Sequence, residues 1–450
     1  MNLKCKLFFT LLLSFNFSSS FAIDIDLTNP DGLALTQINT DAATSLTPVG
    51  NWNNVPGDEL GTIDCVPVLT TTTFCTISSD ETPAAVLNVE PENVFWSDSN
   101  QSSDFGNPLF TTNYCGVGSN SIIFAAGSGA DAHMQFIPVS GLKRFGVRFT
   151  DCAAQPFNVG DLNNDGTDEI YFGKDNLGYI DKGNEPGSSV SRWCGSGSGF
   201  TKFCWGGSEI TRPSGLNHEG VALGDINGDG FGDMGLSAPD GIIIYYGNNS
   251  LKDLDLDSLT ENDGFFIPFP AGVGPLTGLD GNADFNNDGV KDFAMAFGFA
   301  ARGDDIDAGL VYIVKGREQN FPHPMNLELE LSNGVEKLYG TGASVKFGIN
   351  INTMGDFNND GFGDLVIGST AGIQRILLGQ KRAWSDMTEE ELTSRSININ
   401  GANGSTPDFR TPFDFNGDGL GDLVINFGDN IIWVIFGRDE IFFKDSFESE

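Results

Sequence analysis

The chain has 450 residues, 61 acidic and 24 basic, for a formal net charge of −37. This surplus is spread along the sequence and not gathered into a tail, which argues against nucleic acid or an anionic membrane surface as partner. Only three histidines, His133, His218 and His323, are present, and they stand far apart. That leaves little material for zinc ligation or histidine acid–base chemistry.

The chain opens MNLKCKLFFTLLLSFNFSSSFA, with Lys4 and Lys6 ahead of a short apolar stretch from Leu7 to Phe15 and small residues at Ser20 and Ala22. This is the pattern of a secretory signal peptide over residues 1–22, cleaved after Ala22. No later run reaches the length of a membrane span. The expected location is therefore secreted, extracellular or at a cell surface. Cys5 lies ahead of the apolar stretch and is not placed as a lipoprotein cysteine. Removal of the signal leaves Cys65, Cys75, Cys115, Cys152, Cys194 and Cys204. An even number in an exported chain suggests disulfides. Cys65 with Cys75 and Cys194 with Cys204 are the local pairs, and Cys115 and Cys152 would remain.

Residues 23–140 carry no metal loop. SIIFAAG (121–127) followed by HMQFIPVS (133–140) reads as a strand pair there. From residue 161 onward one acidic loop recurs five times: DLNNDGTDE from Asp161, DINGDGFGD from Asp225, DFNNDGVKD from Asp284, DFNNDGFGD from Asp356 and DFNGDGLGD from Asp414. Successive copies are 64, 59, 72 and 58 residues apart. Side-chain oxygens at alternate positions of a curled loop can converge on one hard cation, and calcium takes six to eight oxygens in flexible geometry. A glycine after the third ligand allows the sharp turn. No Cys or His lies in any copy, which disfavours zinc and copper.

The expected ligands are Asp161, Asn163, Asp165 and Glu169 in the first loop. In the second they are Asp225, Asn227, Asp229, the peptide oxygen of Phe231, and Asp233. The third offers Asp284, Asn286, Asp288, Val290 and Asp292. The fourth offers Asp356, Asn358, Asp360, Phe362 and Asp364, and the fifth Asp414, Asn416, Asp418, Leu420 and Asp422. The alternative reading of any single copy is an Asp/Asn/Gly turn; five copies with the same ligand positions favour the metal. The expectation is about five structural Ca2+ ions.

An EF-hand shares the loop's start but sits between helices. Here each loop is followed by a strand-length apolar run: EIYFG (169–173), DMGLSA (233–238), DFAMAFG (292–298), DLVIGS (364–369) and DLVINFG (422–428). After a brief turn come GIIIYYG (241–247), GLVYIVKG (309–316), GIQRILLG (372–379) and NIIWVIFG (430–437). The unit is strand, loop, strand, turn, strand, then a variable connection: a β-meander with the metal in its first hairpin.

These loops, with Phe347–Gly348 ahead of the fourth, Ser237–Ala238–Pro239 after the second and Phe145–Gly146 ahead of the first, resemble the FG-GAP repeat of integrin α-subunit β-propellers and their bacterial relatives. The resemblance covers residues 141–450 strongly and 23–140 weakly; the third copy reads AMAFGFA where GAP would stand. It implies an all-β propeller of four-stranded antiparallel blades around an axis. One small meander cannot bury both faces, so stacking and ring closure are also what physics favours. The mean loop spacing of about 63 residues divides the mature chain into nearly seven units. Seven blades are expected, five with calcium loops. Residues 23–140 are then degenerate metal-free blades, or a small N-terminal β-domain plus one blade.

No nucleophile elbow is present; Gly195 to Gly199 reads as a flexible loop. A pair of acids for glycoside chemistry has no marker among so many carboxylates. Trp52, Trp193 and Trp205 lie in loop-like surroundings, as sugar platforms or packed residues. Arg302-Gly303-Asp304 spells the tripeptide that integrins read in matrix proteins, in the connection between two strands of the third metal-bearing unit. The tail IFFKDSFESE (441–450) is either a last strand or a sorting tag. The functional expectation is a monomeric, non-catalytic adhesion or ligand-binding module for a protein or surface glycan, with an extracellular polysaccharide-active enzyme as the alternative.

Overall fold

The computed structural model describes the strands between Ile23 and Thr150. Beyond them it describes residues 156–174, 177–181, 208–212, 215–216, 220–331, 333–371, 373–386, 392–393, 395–400, 407–410, 414–427 and 431–438. The expected signal peptide, the disulfide pairings, the three weighed tryptophans, His218, Gly195 to Gly199 and the 441–450 tail lie outside the described residues.

The strands form seven sheets of four or five strands, built from residues 47–98, 105–150, 156–211, 220–268, 278–339, 351–400 and 408–435. Within each, the central neighbours follow chain order, and strands from elsewhere add at an edge: Leu254–Asp255 beside Ser208–Thr211, Ile23–Asp26 beside Ser396–Asn400, and Leu35–Asn39 then Val86–Asn88 beyond Ile431–Ile435. The fourth sheet runs Gly220–Gly224, Asp233–Ala238, Gly241–Tyr245 and Gly264–Pro268, antiparallel throughout. The fifth repeats the pattern with Gly278–Ala283, Asp292–Phe297, Leu310–Val314 and Val335–Tyr339. The expected strand pairs fall within a residue or two of these elements. Ser121–Ala126 and Asp131–Pro138 also pair antiparallel. Helical pieces such as Leu256–Ser258 and Trp384–Asp386 are single 3-10 turns.

The middle strands are buried on both faces, which is why they read as nearly unbroken apolar runs. Alternation then assigns each face to a neighbour. Ile242 and Ile244 pack with Phe293, Met295 and Phe297 of the following sheet. Ile243 and Tyr245 pack with Tyr171, Ile180 and Ile210 of the preceding one. On Asp292–Phe297 the large residues face back, while Ala294 and Ala296 pack forward against Leu365 and Ile367. At that forward junction small side chains meet large ones, whereas where Ile242 and Ile244 meet Phe293 and Met295 the side chains are large on both sides. A fully buried side chain of this size contributes about 1.5–3 kcal/mol.

The first strands of consecutive sheets lie side by side: Phe105–Thr112 against Pro156–Gly160, then Gly220–Gly224, Gly278–Ala283 and Ile351–Met354, with Asp408–Arg410 next in line. The chain's early strands reach the far end of this series. Leu35–Asn39 runs antiparallel to Ile431–Ile435, with Leu35 opposite Ile435 and Asn39 opposite Ile431. Ile23–Asp26 adds in parallel to Ser396–Asn400. Among the described residues, no helix is long and apolar enough to cross a membrane.

Candidate metal centre

Each acidic loop joins the first strand of a sheet to the second. In loop 225–233 the Asp225 carboxylate accepts the N–H groups of Gly228 (2.7 Å), Asp229 (3.1 Å) and Gly230 (2.8 Å). The same curl surrounds Asp161, Asp284, Asp356 and Asp414. It requires left-handed backbone at the fourth and sixth positions. Asn164, Gly228, Asn287, Asn359 and Gly417 hold φ between 53° and 75° at the fourth, and Asn and Gly are the residues that tolerate it. At the sixth, Gly230 has φ 91°. A Cβ there would meet nothing within 4 Å, so conformation and not space demands the glycine.

The third and fifth positions face one another. Asn227 donates to Asp229 at 3.0 Å, Asn286 to Asp288 at 2.9 Å, Asn358 to Asp360 at 2.8 Å and Asn416 to Asp418 at 2.9 Å. The fifth-position carboxylate also holds the N–H of Phe231, Val290, Phe362 or Leu420. The first copy differs. Asn163 donates instead to Glu169, at 2.6 Å, and the Asp165 carboxylate takes the N–H and hydroxyl of Thr167.

The ninth position lies under the loop. Glu169, Asp233, Asp292, Asp364 and Asp422 are fully buried. One oxygen of Asp233 accepts the second-position N–H of Ile226 at 2.9 Å, and the other accepts Gly247 N–H at 3.0 Å. Asp292 binds Phe285 and Gly316, Asp364 binds Phe357 and Gly379, and Asp422 binds Phe415 and Gly437 in the same way. The glycine that ends each third strand is therefore a partner of the loop. It has no room for a Cβ: at Gly379 one would fall against the carbonyl oxygens of Gly363 and Phe285.

The loops are also tied to one another. The eighth-position N–H donates to the first-position carbonyl of the preceding loop: Gly232 to Asp161 (3.1 Å), Lys291 to Asp225 (2.9 Å), Gly363 to Asp284 (2.8 Å) and Gly421 to Asp356 (3.2 Å). Arg317, Gln380 and Arg438 donate to the second-position carbonyls of Ile226, Phe285 and Phe357, each in the preceding loop. The second-position side chains Leu162, Ile226, Phe285, Phe357 and Phe415 anchor the loops in the core at 0–1 % exposure. None of these inter-loop contacts is visible as a side-chain motif. The fourth-position Asn/Gly alternation and the glycine closing each third strand were the available signals.

At the buried ninth position the protein disfavours the charged carboxylate. Burial, opposed by the two backbone N–H bonds and reinforced by the neighbouring loop carboxylates, raises the Asp292 and Asp422 carboxyls to about 7. The same balance raises Glu169 to about 8 and holds Asp233 and Asp364 well above the usual range. No Lys or Arg among the described residues lies within ion-pair distance of Asp225, Asp229, Asp284 or Asp288. Among the described residues, no three His, Cys, Asp or Glu side chains converge as a ligand cluster. The donor set of each loop is carboxylate, amide and peptide oxygen. All are hard donors, and uncompensated charge of this kind suits calcium.

Outside the loops, the Asp280 carboxylate bridges first strands by accepting the Thr353 N–H at 2.7 Å and hydroxyl at 3.1 Å, and burial raises it to about 6. His323 accepts the Phe266 N–H at 3.1 Å, a packing role.

No protein-family model matches the chain. Among curated proteins it is 28% identical over 147 residues to integrin alpha-PS5 of Drosophila melanogaster, covering 32% of this chain and 14% of that protein. It is 27% identical over 168 residues to integrin alpha-4 of Xenopus laevis, covering 35% and 15%. It is 25% identical over 224 residues to integrin alpha ina-1 of Caenorhabditis elegans, covering 44% and 18%. The matched region thus spans less than a fifth of each relative. These partial similarities support an integrin-alpha-like relationship. Among solved structures, BBS1N crystallised with ARL6DN aligns over 89% of this chain and 92% of its own at 10% identity and a TM-score of 0.45, too distant to argue from.

Two outcomes follow. Gly379→Ala pushes a methyl into backbone carbonyls and is expected to cost about 3 kcal/mol. Gly230→Ala incurs only the left-handed penalty of about 1–2 kcal/mol. Urea midpoints of the two variants would rank them, and equal losses would contradict the close-packed junction. The second concerns pH. A carboxyl raised on folding favours the fold below the unfolded value near 4 and loses that contribution as pH rises through about 7 to 8. Chelator-treated protein should therefore melt lower at pH 8 than at pH 5.5, even in 0.3 M salt that screens surface repulsion. A flat profile would show that these groups do not titrate on unfolding.

Proposed function

We propose that the chain is a secreted, calcium-braced β-propeller of seven blades that serves as a non-catalytic adhesion or ligand-binding module for a protein or surface glycan. The observation that carries the reading is the repeated junction between loops: each acidic loop is bonded to the one before it, as blades around an axis require. The side-by-side first strands support a ring. So does the pairing of Leu35–Asn39 with Ile431–Ile435, which would close the last blade with a strand from the chain's beginning. Partial similarity to integrin alpha chains supports adhesion.

The ions are structural in this reading. A cation in a loop would favour the charged form of the ninth-position carboxylate and cancel repulsion among the others. Among the described residues, the acids whose pKa is raised are the five ninth-position groups and Asp280, and each is engaged by its own backbone scaffold. That weighs against the enzyme alternative.

Calorimetric titration of chelator-stripped protein should take up about five calcium ions. Each site adds about 2.7 kcal/mol of stability at a hundredfold excess over its Kd. Immobilised calcium-loaded protein should retain cells or array glycans without turning them over. Absence of calcium uptake, or turnover of polysaccharide, would overturn the proposal.

A further inference from the structure

The connection 298–309 leaves the sheet at the end opposite the acidic loops. Strand Asp292–Phe297 starts at the third loop's buried carboxylate and spans roughly 20 Å before the connection begins. The connection is a tight hairpin. The Arg302 N–H donates to the Asp305 carbonyl at 3.0 Å, and the Asp305 N–H returns to the Arg302 carbonyl at 3.1 Å. Gly303 sits at the apex with φ 61°, in open space.

The hairpin is rigidly held. Gly309 N–H bonds the Ala300 carbonyl at 2.9 Å. Ser344, Lys346 and Phe347 donate to the carbonyls of Ile306, Asp307 and Ala308 at 2.8, 2.8 and 3.0 Å. Asp307, Ser344 and Lys346 adopt φ of 54°, 62° and 51° to allow this docking, a conformation that non-glycine residues keep only where the surroundings enforce it.

Arg302, Gly303 and Asp304 are all exposed. In a chain with 61 acidic residues, a lone guanidinium is readily neutralised, yet Arg302 forms no ion pair among the described residues. It lies over the Tyr339 ring at 5.7 Å. Among the described residues, Asp304 makes no side-chain hydrogen bond or ion pair. Ile306 beside them is 69% exposed. The apex therefore presents a cation, an anion and an apolar neighbour on a backbone held by its hydrogen bonds, so little backbone ordering entropy is left to lose on binding.

A sugar would stack on an open aromatic face. Among the described residues, the two rings beside the hairpin each have a face engaged by a cation: Arg302 lies over Tyr339, and Lys346 Nζ is 4.8 Å from the centroid of Phe299, which is otherwise 40% exposed. We infer that this hairpin is a docking element for a cell-surface protein receptor of complementary charge, whose site supplies an acidic group for the Arg302 guanidinium and a cationic group for the Asp304 carboxylate. The inference rests on the adhesion reading and names its partner class.

The test is cell adhesion to immobilised full-length protein in constant calcium, comparing wild type with Asp304→Glu, which keeps the charge but moves the carboxylate. Matched melting temperatures would confirm that the exposed turn tolerates the change. Adhesion should fall about tenfold or more in the variant. Soluble Arg-Gly-Asp-Ser peptide should abolish wild-type adhesion, and Arg-Gly-Glu-Ser should not. Adhesion indifferent to both the substitution and the peptide would overturn the inference while leaving the adhesion module standing. The same holds for adhesion that glycosidase treatment of the cells removes but Asp304→Glu does not. No adhesion at all would overturn both.

Discussion

The structure depends on a carboxylate buried beneath a loop and on the backbone around it. The ninth-position group bonds the loop's own second N–H and the glycine that ends the third strand, so one side chain fastens three strands of a sheet. Directly above it, the first-position carbonyl accepts the eighth N–H of the next loop. Hydrogen bonds to a charged group contribute about 1.5–3 kcal/mol each, and a partner left unsatisfied in the core costs a comparable amount. The same residues therefore set the turn within a sheet and the spacing between sheets. This explains why the loop recurs nearly intact while the outer strands and connections vary.

Placing a carboxylate there has an electrostatic consequence. Two backbone N–H groups do not offset the burial of a charge beside two further carboxylates, so the group is pushed toward its protonated form. Proton and divalent cation are alternative solutions to one problem. Among the described residues Asp225 and Asp284 have no basic ion-pair partner, and the all-oxygen loop supports the proposal of the second. The brace sits at one end of the sheets. The connections at the other end, among them the rigid Arg302 hairpin, are free to carry recognition.

Much of this was legible in the residues. The loop's curl follows from its Asp, Asn and Gly pattern, and Asp233–Ala238 and Gly241–Tyr245 begin where their apolar runs begin. The outer strands Gly264–Pro268 and Val335–Tyr339 were not foreseen, because connections of varying length precede them. Nor could periodicity reveal that Leu35–Asn39 pairs with Ile431–Ile435 across nearly the whole chain. Position nine reads in sequence as the ion's closing ligand; its hydrogen bonds to Ile226 and Gly247, or their counterparts, were not legible there because they call on residues far outside the loop. The inter-loop bonds are invisible in sequence because they use peptide groups, which every residue carries.

The central claim is that the loops form one continuous backbone-bonded series. Hydrogen exchange of the Gly232, Lys291, Gly363 and Gly421 amides in the calcium-loaded and chelated protein tests it most directly. The account predicts slow exchange at all four, comparable to the middle strands and accelerated together by chelation. Exchange as fast as that of the exposed Gly303 turn amide, or four unrelated responses to calcium, would contradict it.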